Sequence, residues 1–334
     1  MKLFDTEVQK GQRICREVKV GELACFTDIK IPVLAVRGMH EGPTLWLTGA
    51  VHGDELNGPW AMRRFFWDLD PADLHGNLVL TPLLNPLAFQ VRDKVSHLDY
   101  LDMDQQFPGN AAGSYTERVA FAVFTELKRC ANYVIDFHTM GHPFSSVPYT
   151  VSKIVPGSSE QTVQTAFEMA RVFGVYPNCR VDLASASGEL PGTTSGAIDI
   201  LCMRNNVPCF MAEMGGGSRW DEAAIQTAYQ GIQNVLTYLK MLPGAYPRPG
   251  KQLIITKRRF LRSNRGGLVR MEVTPGTVVR KGQLLATICN FWEELERLVA
   301  EQDWFMIATR FQPVVSTGDR MGFIGYEWHE QEWQ

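Results

Sequence analysis

His52 and Glu55 stand three residues apart at the end of the apolar run Thr44-Leu-Trp-Leu-Thr-Gly-Ala-Val51. An imidazole and a carboxylate at that spacing, where a strand hands over to a helix, can converge on one point. Such a pair suits a catalytic zinc, which takes two histidines and one glutamate and keeps a fourth position open for water. The His-x-x-Glu spacing alone arises often by chance. The reading therefore requires a second histidine from elsewhere and a carboxylate to act as base.

His138 closes the apolar run Tyr133-Val-Ile-Asp-Phe137, with Asp136 one pleat earlier. A metal-bound histidine usually donates its other ring N–H to a carboxylate or carbonyl, and Asp136 or Asp54 can serve. The plainer account of His138 is a hydrogen-bonded histidine at a strand end. His142 follows four residues on, but Gly141 and Pro143 argue against a helix there, so it reads as a loop residue. Glu213 ends the run Phe210-Met-Ala212, with Gly215-Gly-Gly217 just beyond. A carboxylate at the end of a buried strand is unfavourable without a partner. Beside zinc it can take a proton from water and pass it to a leaving amine, and the glycines would let backbone approach a ligand closely. A strand-end salt bridge is the plainer account.

These residues need elements to hold them. Strand candidates are Thr44–Val51, Asn77–Leu84, Tyr133–Phe137, Pro148–Ile154 and Pro208–Glu213; helix candidates are Leu56–Leu69, Tyr115–Cys130, Glu160–Phe173, Gly196–Asn205 and Asp221–Lys240. Their alternation predicts an α/β sandwich with a mostly parallel or mixed sheet. The polar clusters at 52–55, 136–138 and 213 all fall at strand C-termini, where ligands of such sheets gather. Composition shifts at the Pro/Gly-rich linker Leu242–Gly250. Beyond it Leu253–Thr256, Gly267–Val273, Thr277–Val279, Leu284–Cys289 and Trp304–Ala308 read as short strands of a small all-β domain. The predicted division is therefore 1–245 and 246–334.

The bulk numbers narrow the class. A chain of 334 residues with 45% apolar and 21% charged residues is an ordinary globular protein, long enough for one large domain and a small one. A net charge of -3 offers no electrostatic reason for nucleic acid or an acidic membrane as partner. No signal-peptide core and no membrane-length apolar run is present, so a cytoplasmic location is expected. The seven cysteines form no CxxC pair and read as reduced thiols.

Taken in order, His52-x-x-Glu55, Asn85-Pro-Leu-Ala-Phe89, Asp102-Met-Asp-Gln-Gln-Phe-Pro-Gly109, His138, Gly196-Ala-Ile-Asp199 and Glu213 resemble the zinc carboxypeptidase superfamily, and within it the succinylglutamate desuccinylase/aspartoacylase family. The resemblance covers roughly residues 40–240. It implies that His52, Glu55 and His138 bind one zinc per chain, that Glu213 is the base, and that an arginine holds the oxyanion. Arg92 is the arginine nearest to Asn85-Pro86, and ungapped spacing would select Lys94 instead; Arg92 is preferred for its planar fork. Relatives usually read Asp-Leu-Asn-Arg where this chain has Asp102-Met-Asp104-Gln105. Their Asn-Arg pair holds a substrate carboxylate, which Asp104 would repel. The substrate-binding residues expected are Asp104, Gln105 and Asn85, around an amine or neutral group. A catalytic tyrosine is known in relatives, and none of the nine here can be chosen.

The C-terminal segment resembles a lipoyl or biotinyl barrel-sandwich through Gly266–Gly276 and Val279–Ala286, but its expected turn at Ile288–Trp292 has no lysine, so no attached cofactor is expected. In relatives such a domain packs near the mouth of the site. The leading reading is a zinc-dependent amidohydrolase acting on a small N-acylated amino acid or amine. A metallocarboxypeptidase and a non-catalytic zinc-binding homologue are the alternatives. Partners expected are the small-molecule substrate and no nucleic acid or membrane, and a homo-oligomer is compatible with the reading.

Overall fold

The computed structural model describes residues 1–185, 195–248 and 250–332, so residue 249 of the predicted linker and residues 333–334 lie outside it. The site is carried by a large mixed sheet, and the apolar runs of the sequence form its middle. The strands are β1 (Arg13–Glu22), β2 (Asp28–Arg37), β3 (His40–Gly49), β4 (His75–Thr81), β5 (Tyr133–His138), β6 (Tyr149–Ile154), β7 (Asn178–Asp182) and β8 (Cys209–Glu213). From the C-terminal segment come β9 (Lys251–Arg262), β10 (Gly267–Met271), β11 (Leu284–Cys289), β12 (Glu294–Val299), β13 (Trp304–Arg310) and β14 (Arg320–Glu332).

The main sheet runs β13-β14-β9-β7-β6-β8-β5-β3-β4-β2-β1, with Val278–Val279 at the β13 edge. At its centre β8, β5, β3 and β4 are parallel, while β6 is antiparallel to β8. Strand β3 shows why the run 44–51 is almost continuously apolar. Its Leu45 and Leu47 enter one core with α1 (Asn57–Asp68), whereas Trp46 enters another with α3 (Tyr115–Cys130). A strand covered on both faces has no solvent side to keep polar. The layers are completed by α4 (Glu160–Val172), α5 (Ile198–Arg204) and α6 (Glu222–Tyr238), the last packing beside α1. Helix α3 starts at a capping box of Ser114 and Glu117 and ends with Lys128 and Arg129, which complement its dipole. The result is the α/β/α sandwich with a mixed sheet expected from the alternation. Among the described residues no helix is long and apolar enough to cross a membrane.

The C-terminal segment does more than hang beside this sandwich. Strand β9 pairs with β7, so β9, β14 and β13 extend the main sheet. Their opposite faces enter two cores. Ile255, Phe305 and Phe323 pack with Tyr149, Val151 and Met211 of the central strands, and Leu261, Trp304 and Ile324 pack with the small sheet formed by β10, β11, β12 and the short strand Val314–Val315. The predicted turn at 288–292 is observed as the β11–β12 hairpin, where Asn290 accepts hydrogen bonds from the backbone N–H groups of Trp292 and Glu293.

Candidate active site

Strand order brings the predicted residues to one edge of the sheet. His138 is the last residue of β5 and Glu213 the last of β8, and the two are register partners in a parallel pair. His52 and Glu55 follow the next strand, β3, before α1 begins. The loop holding His52 is pinned by close contact. A Cβ on Gly53 would lie 2.0 Å from the carbonyl carbon of Ala88 in the helix α2 (Pro86–Val91). Only glycine lets this loop pass that backbone.

His52 Nδ1 lies 2.9 Å from Glu55 Oε1, and His138 Nδ1 lies 3.0 Å from Glu55 Oε2, which also accepts the Thr139 N–H at 3.1 Å. All three side chains are buried. The outward ring nitrogens are held by carboxylates: His138 Nε2 by Asp136 Oδ2 at 3.1 Å and His52 Nε2 by Asp102 Oδ1 at 3.1 Å. Asp136 in turn accepts the Thr48 hydroxyl at 2.6 Å, and Asp102 is paired with Lys94 Nζ at 2.6 Å. Inward imidazole nitrogens facing one carboxylate, with the outer nitrogens fixed by hydrogen bonds, are the donor set and support of a divalent-metal site. Donor atoms of His52, Glu55 and His138 lie within 4.8 Å of one another, so these residues can hold a metal.

The charges are strongly perturbed. Burial would lower the His52 pKa, but the Glu55 charge and the hydrogen bond to Asp102 override it and raise it to about 10. His138 is likewise raised, against burial, by Asp136 and Glu55. Glu55 is pulled down to about 2: burial opposes the shift and the two imidazoles win. Glu213 moves the other way, to about 7, because it is buried and faces Glu55, with His138 and Arg258 opposing. Its Oε2 is buried without a hydrogen-bond partner among the described residues. An acceptor left unmatched beside a cluster of metal-ligand type is suited to receiving a proton from a molecule bound there.

Glu213, Arg92, Lys94, Asp104 and Gln105 line one cavity with the three clustered residues, of about 650 Å³. Arg92 caps α2 in the left-handed region with φ 58°. Asp104 lies against the second carboxylate, its ligand atom within 4.8 Å of those of Asp136 and His138. Burial raises its pKa to about 6, with the histidines opposing and Asp136 and Asp199 adding to it. Asn85 is not brought to the cavity. It is fully buried, caps α2 by accepting the Ala88 N–H at 3.2 Å, and its amide donates to the Val51 carbonyl at 3.3 Å.

Other expectations are displaced. Of the two carboxylates expected to support a histidine, Asp136 holds His138, whereas Asp54 accepts from the Ser218 hydroxyl and the His142 N–H; Asp102, not singled out for this role, holds His52. The glycines after Glu213 serve loop packing instead of ligand approach, since a Cβ on Gly216 would lie 2.1 Å from the Phe144 carbonyl oxygen. Tyr149, register partner of Glu213 on β6, is fully buried behind the cavity wall, its hydroxyl 3.3 Å from the Met140 sulfur. Asp102 could have been found from the sequence, since it opens the Asp102–Gly109 motif. Phe260 and Arg320 also line the cavity, and nothing local in the sequence marks them, because they arrive only through the pairing of β9 with the main sheet.

Comparison with known proteins agrees with this geometry. Residues 41–239 match the succinylglutamate desuccinylase/aspartoacylase catalytic domain. An N-alpha-acetyl-L-2,4-diaminobutyric acid deacetylase from Halomonas elongata is 27% identical over 304 residues, 89% of this chain and 85% of that protein. Among solved structures, the product-bound ectoine utilization protein EutE (DoeB) from Ruegeria pomeroyi has a TM-score of 0.84 at 24% identity, covering 96% of this chain and 98% of that one. A succinylglutamate desuccinylase from Silicibacter sp. TM1040 has a TM-score of 0.82 at 23% identity, covering 93% of each chain. The chain thus belongs to the succinylglutamate desuccinylase/aspartoacylase family and is a hydrolase of the deacylase kind.

Proposed function

We propose that the protein is a zinc-dependent amidohydrolase that removes a small acyl group, acetyl in the first instance, from an N-acylated diamino acid. His52, Glu55 and His138 hold the metal. Zinc in such a position supplies a Lewis acid for the amide carbonyl and lowers the pKa of water. Glu213 receives the proton of the attacking water at its unmatched Oε2 and delivers it to the leaving nitrogen, a transfer favoured by a pKa near neutrality. Arg92 contributes a fixed cation toward the developing oxyanion. Met140, Phe144 and Met211 give the cavity apolar lining for the acyl group.

The observation that carries the substrate class is Asp104 beside Asp136. Asp104 lines the cavity, and Asp136, buried behind it with its carboxylate within 4.8 Å, adds to the negative field there, which favours a cation and opposes an anion. A second amino group on the substrate meets that requirement, and the substrate named for the Halomonas relative has one. The test is a panel of N-acetyl-2,4-diaminobutyrate, N-acetyl-2-aminobutyrate, N-acetylaspartate and N-succinylglutamate with zinc-loaded protein. The diamino compound is expected to be hydrolysed best, and Asp104→Asn to raise its KM about tenfold or more while affecting the 2-aminobutyrate compound less. Preference for either dicarboxylate would overturn the reading.

A further inference from the structure

The cavity has a second wall that the catalytic strands do not build. Phe260 on β9 and Arg320 at the start of β14 both line it, and Arg262, two residues after Phe260, is the register partner of Arg320. The guanidinium carbon of Arg320 sits 4.1 Å from the centre of the Phe260 ring. An arginine laid on an aromatic face is pre-oriented, and its edge can present paired N–H donors to a carboxylate. Arg320 is exposed and Phe260 half-buried, so the pair forms part of the cavity's accessible rim.

Three lysine and arginine side chains line the cavity among the described residues: Arg92, Lys94 and Arg320. Lys94 is paired with Asp102, which supports His52, and Arg92 lies on the α2 side, beside the residues that carry the chemistry. Asp104 and Gln105 follow β4. In the sheet order β4 and β9 lie on opposite sides of the β8–β5 pair that carries Glu213 and His138. Arg320 thus reaches the cavity from the β9 side of the β8–β5 pair, apart from Arg92 and Lys94, which follow β4, and from Asp104, which sits beside Asp136 and His138 of β5.

We propose that Arg320, held on Phe260, binds the carboxylate of the substrate, so that an N-acylated diamino acid lies across the cavity with its ammonium at Asp104 and its carboxylate on the C-terminal strands. The proposal rests on the deacylase reading above. It makes Arg320 a specificity-determining residue and places the carboxylate contact on the segment that extends the sheet.

The test compares Nα-acetyl-2,4-diaminobutyrate with its carboxamide on full-length, zinc-loaded protein. The wild type should favour the carboxylate by about 10- to 100-fold in kcat/KM, mostly through KM, as expected for a hydrogen-bonded charge pair. Arg320→Gln should reduce that ratio to within about twofold, and Arg320→Lys should restore part of it. A ratio that survives Arg320→Gln, or an equal loss on both compounds, overturns the proposal and leaves the deacylase reading intact. Hydrolysis of neither compound by the wild type would overturn the deacylase reading alone. Calorimetric binding of the two compounds to wild type and Arg320→Gln, which needs no turnover, then decides the carboxylate contact by the same ratio.

Discussion

At the scale of single residues, the site works by setting two kinds of acid against each other. Glu213 is buried and faces a like charge, so it holds its proton up to about pH 7, whereas Glu55 is ionised far below that. Replacing Glu213 by Gln keeps the shape and removes the proposed base, and kcat should fall by about 10²- to 10⁴-fold with the metal content of the zinc-loaded protein unchanged. In metal-free protein an infrared band of a protonated carboxyl, absent from Glu213→Gln, should titrate near pH 7. The histidines predict a different dependence. Protons on His52 and His138 must leave before a cation can bind, so zinc affinity should rise with pH and binding should release protons into a weak buffer. The same groups fix the stability of the metal-free protein. His52 is raised from 6.5 to about 10, so its contribution is complete below 6.5 and is lost as pH rises through about 10. Glu55 is lowered from 4.5 to about 2, so its contribution is present above 4.5 and is lost as pH falls through about 2. Calorimetry of chelated protein should therefore show a stability maximum at mildly acidic pH. Excess zinc should raise the melting temperature most at neutral and higher pH.

At the scale of elements, the close approach of the His52 loop to α2 explains both a glycine and an asparagine. Gly53→Ala should force the loop away from Ala88 and lower zinc retention together with stability. Asn85→Ala should lower stability by about 1–3 kcal/mol through loss of the cap and its buried hydrogen bonds. Its KM should be unaffected, because its side chain is spent on Ala88 and Val51; a selective rise in KM would return Asn85 to substrate binding. The strands around the site were readable because double-sided burial leaves runs such as 44–51 and 208–213 almost free of polar residues. The elements that escaped notice have a physical signature of their own. Strands β1 and β2 form a hairpin at the sheet edge, where charged residues such as Arg16, Glu17 and Lys19 face solvent and hide the alternation. Strand β12 carries Glu294, Glu296 and Arg297 and reads as polar. His52, Glu55, His138 and Glu213 could be paired on paper because each ends an apolar run. Arg320 could not, since its place in the cavity depends on β14 pairing with β9, which no local pattern reveals.

At the scale of the whole molecule, the C-terminal strands complete a shared core. Ile255 and Phe323 pack with Tyr149 and Met211, which sit directly behind the catalytic edge. Removing residues 246–334 would expose that face and leave β7 as an unpaired strand edge. The truncated protein is expected to aggregate, and the intact protein to unfold in one calorimetric transition; two resolved transitions would show that the halves are independent. The continuity of this sheet has a consequence for how the protein can diversify. The groups proposed to break the bond stand at the ends of central strands locked from both sides, while Arg320 stands exposed at the start of β14, where exchange of its side chain disturbs little else. A lineage could retune which acylated compound it accepts by changing one stacked pair on two neighbouring strands, leaving the proposed hydrolytic apparatus untouched.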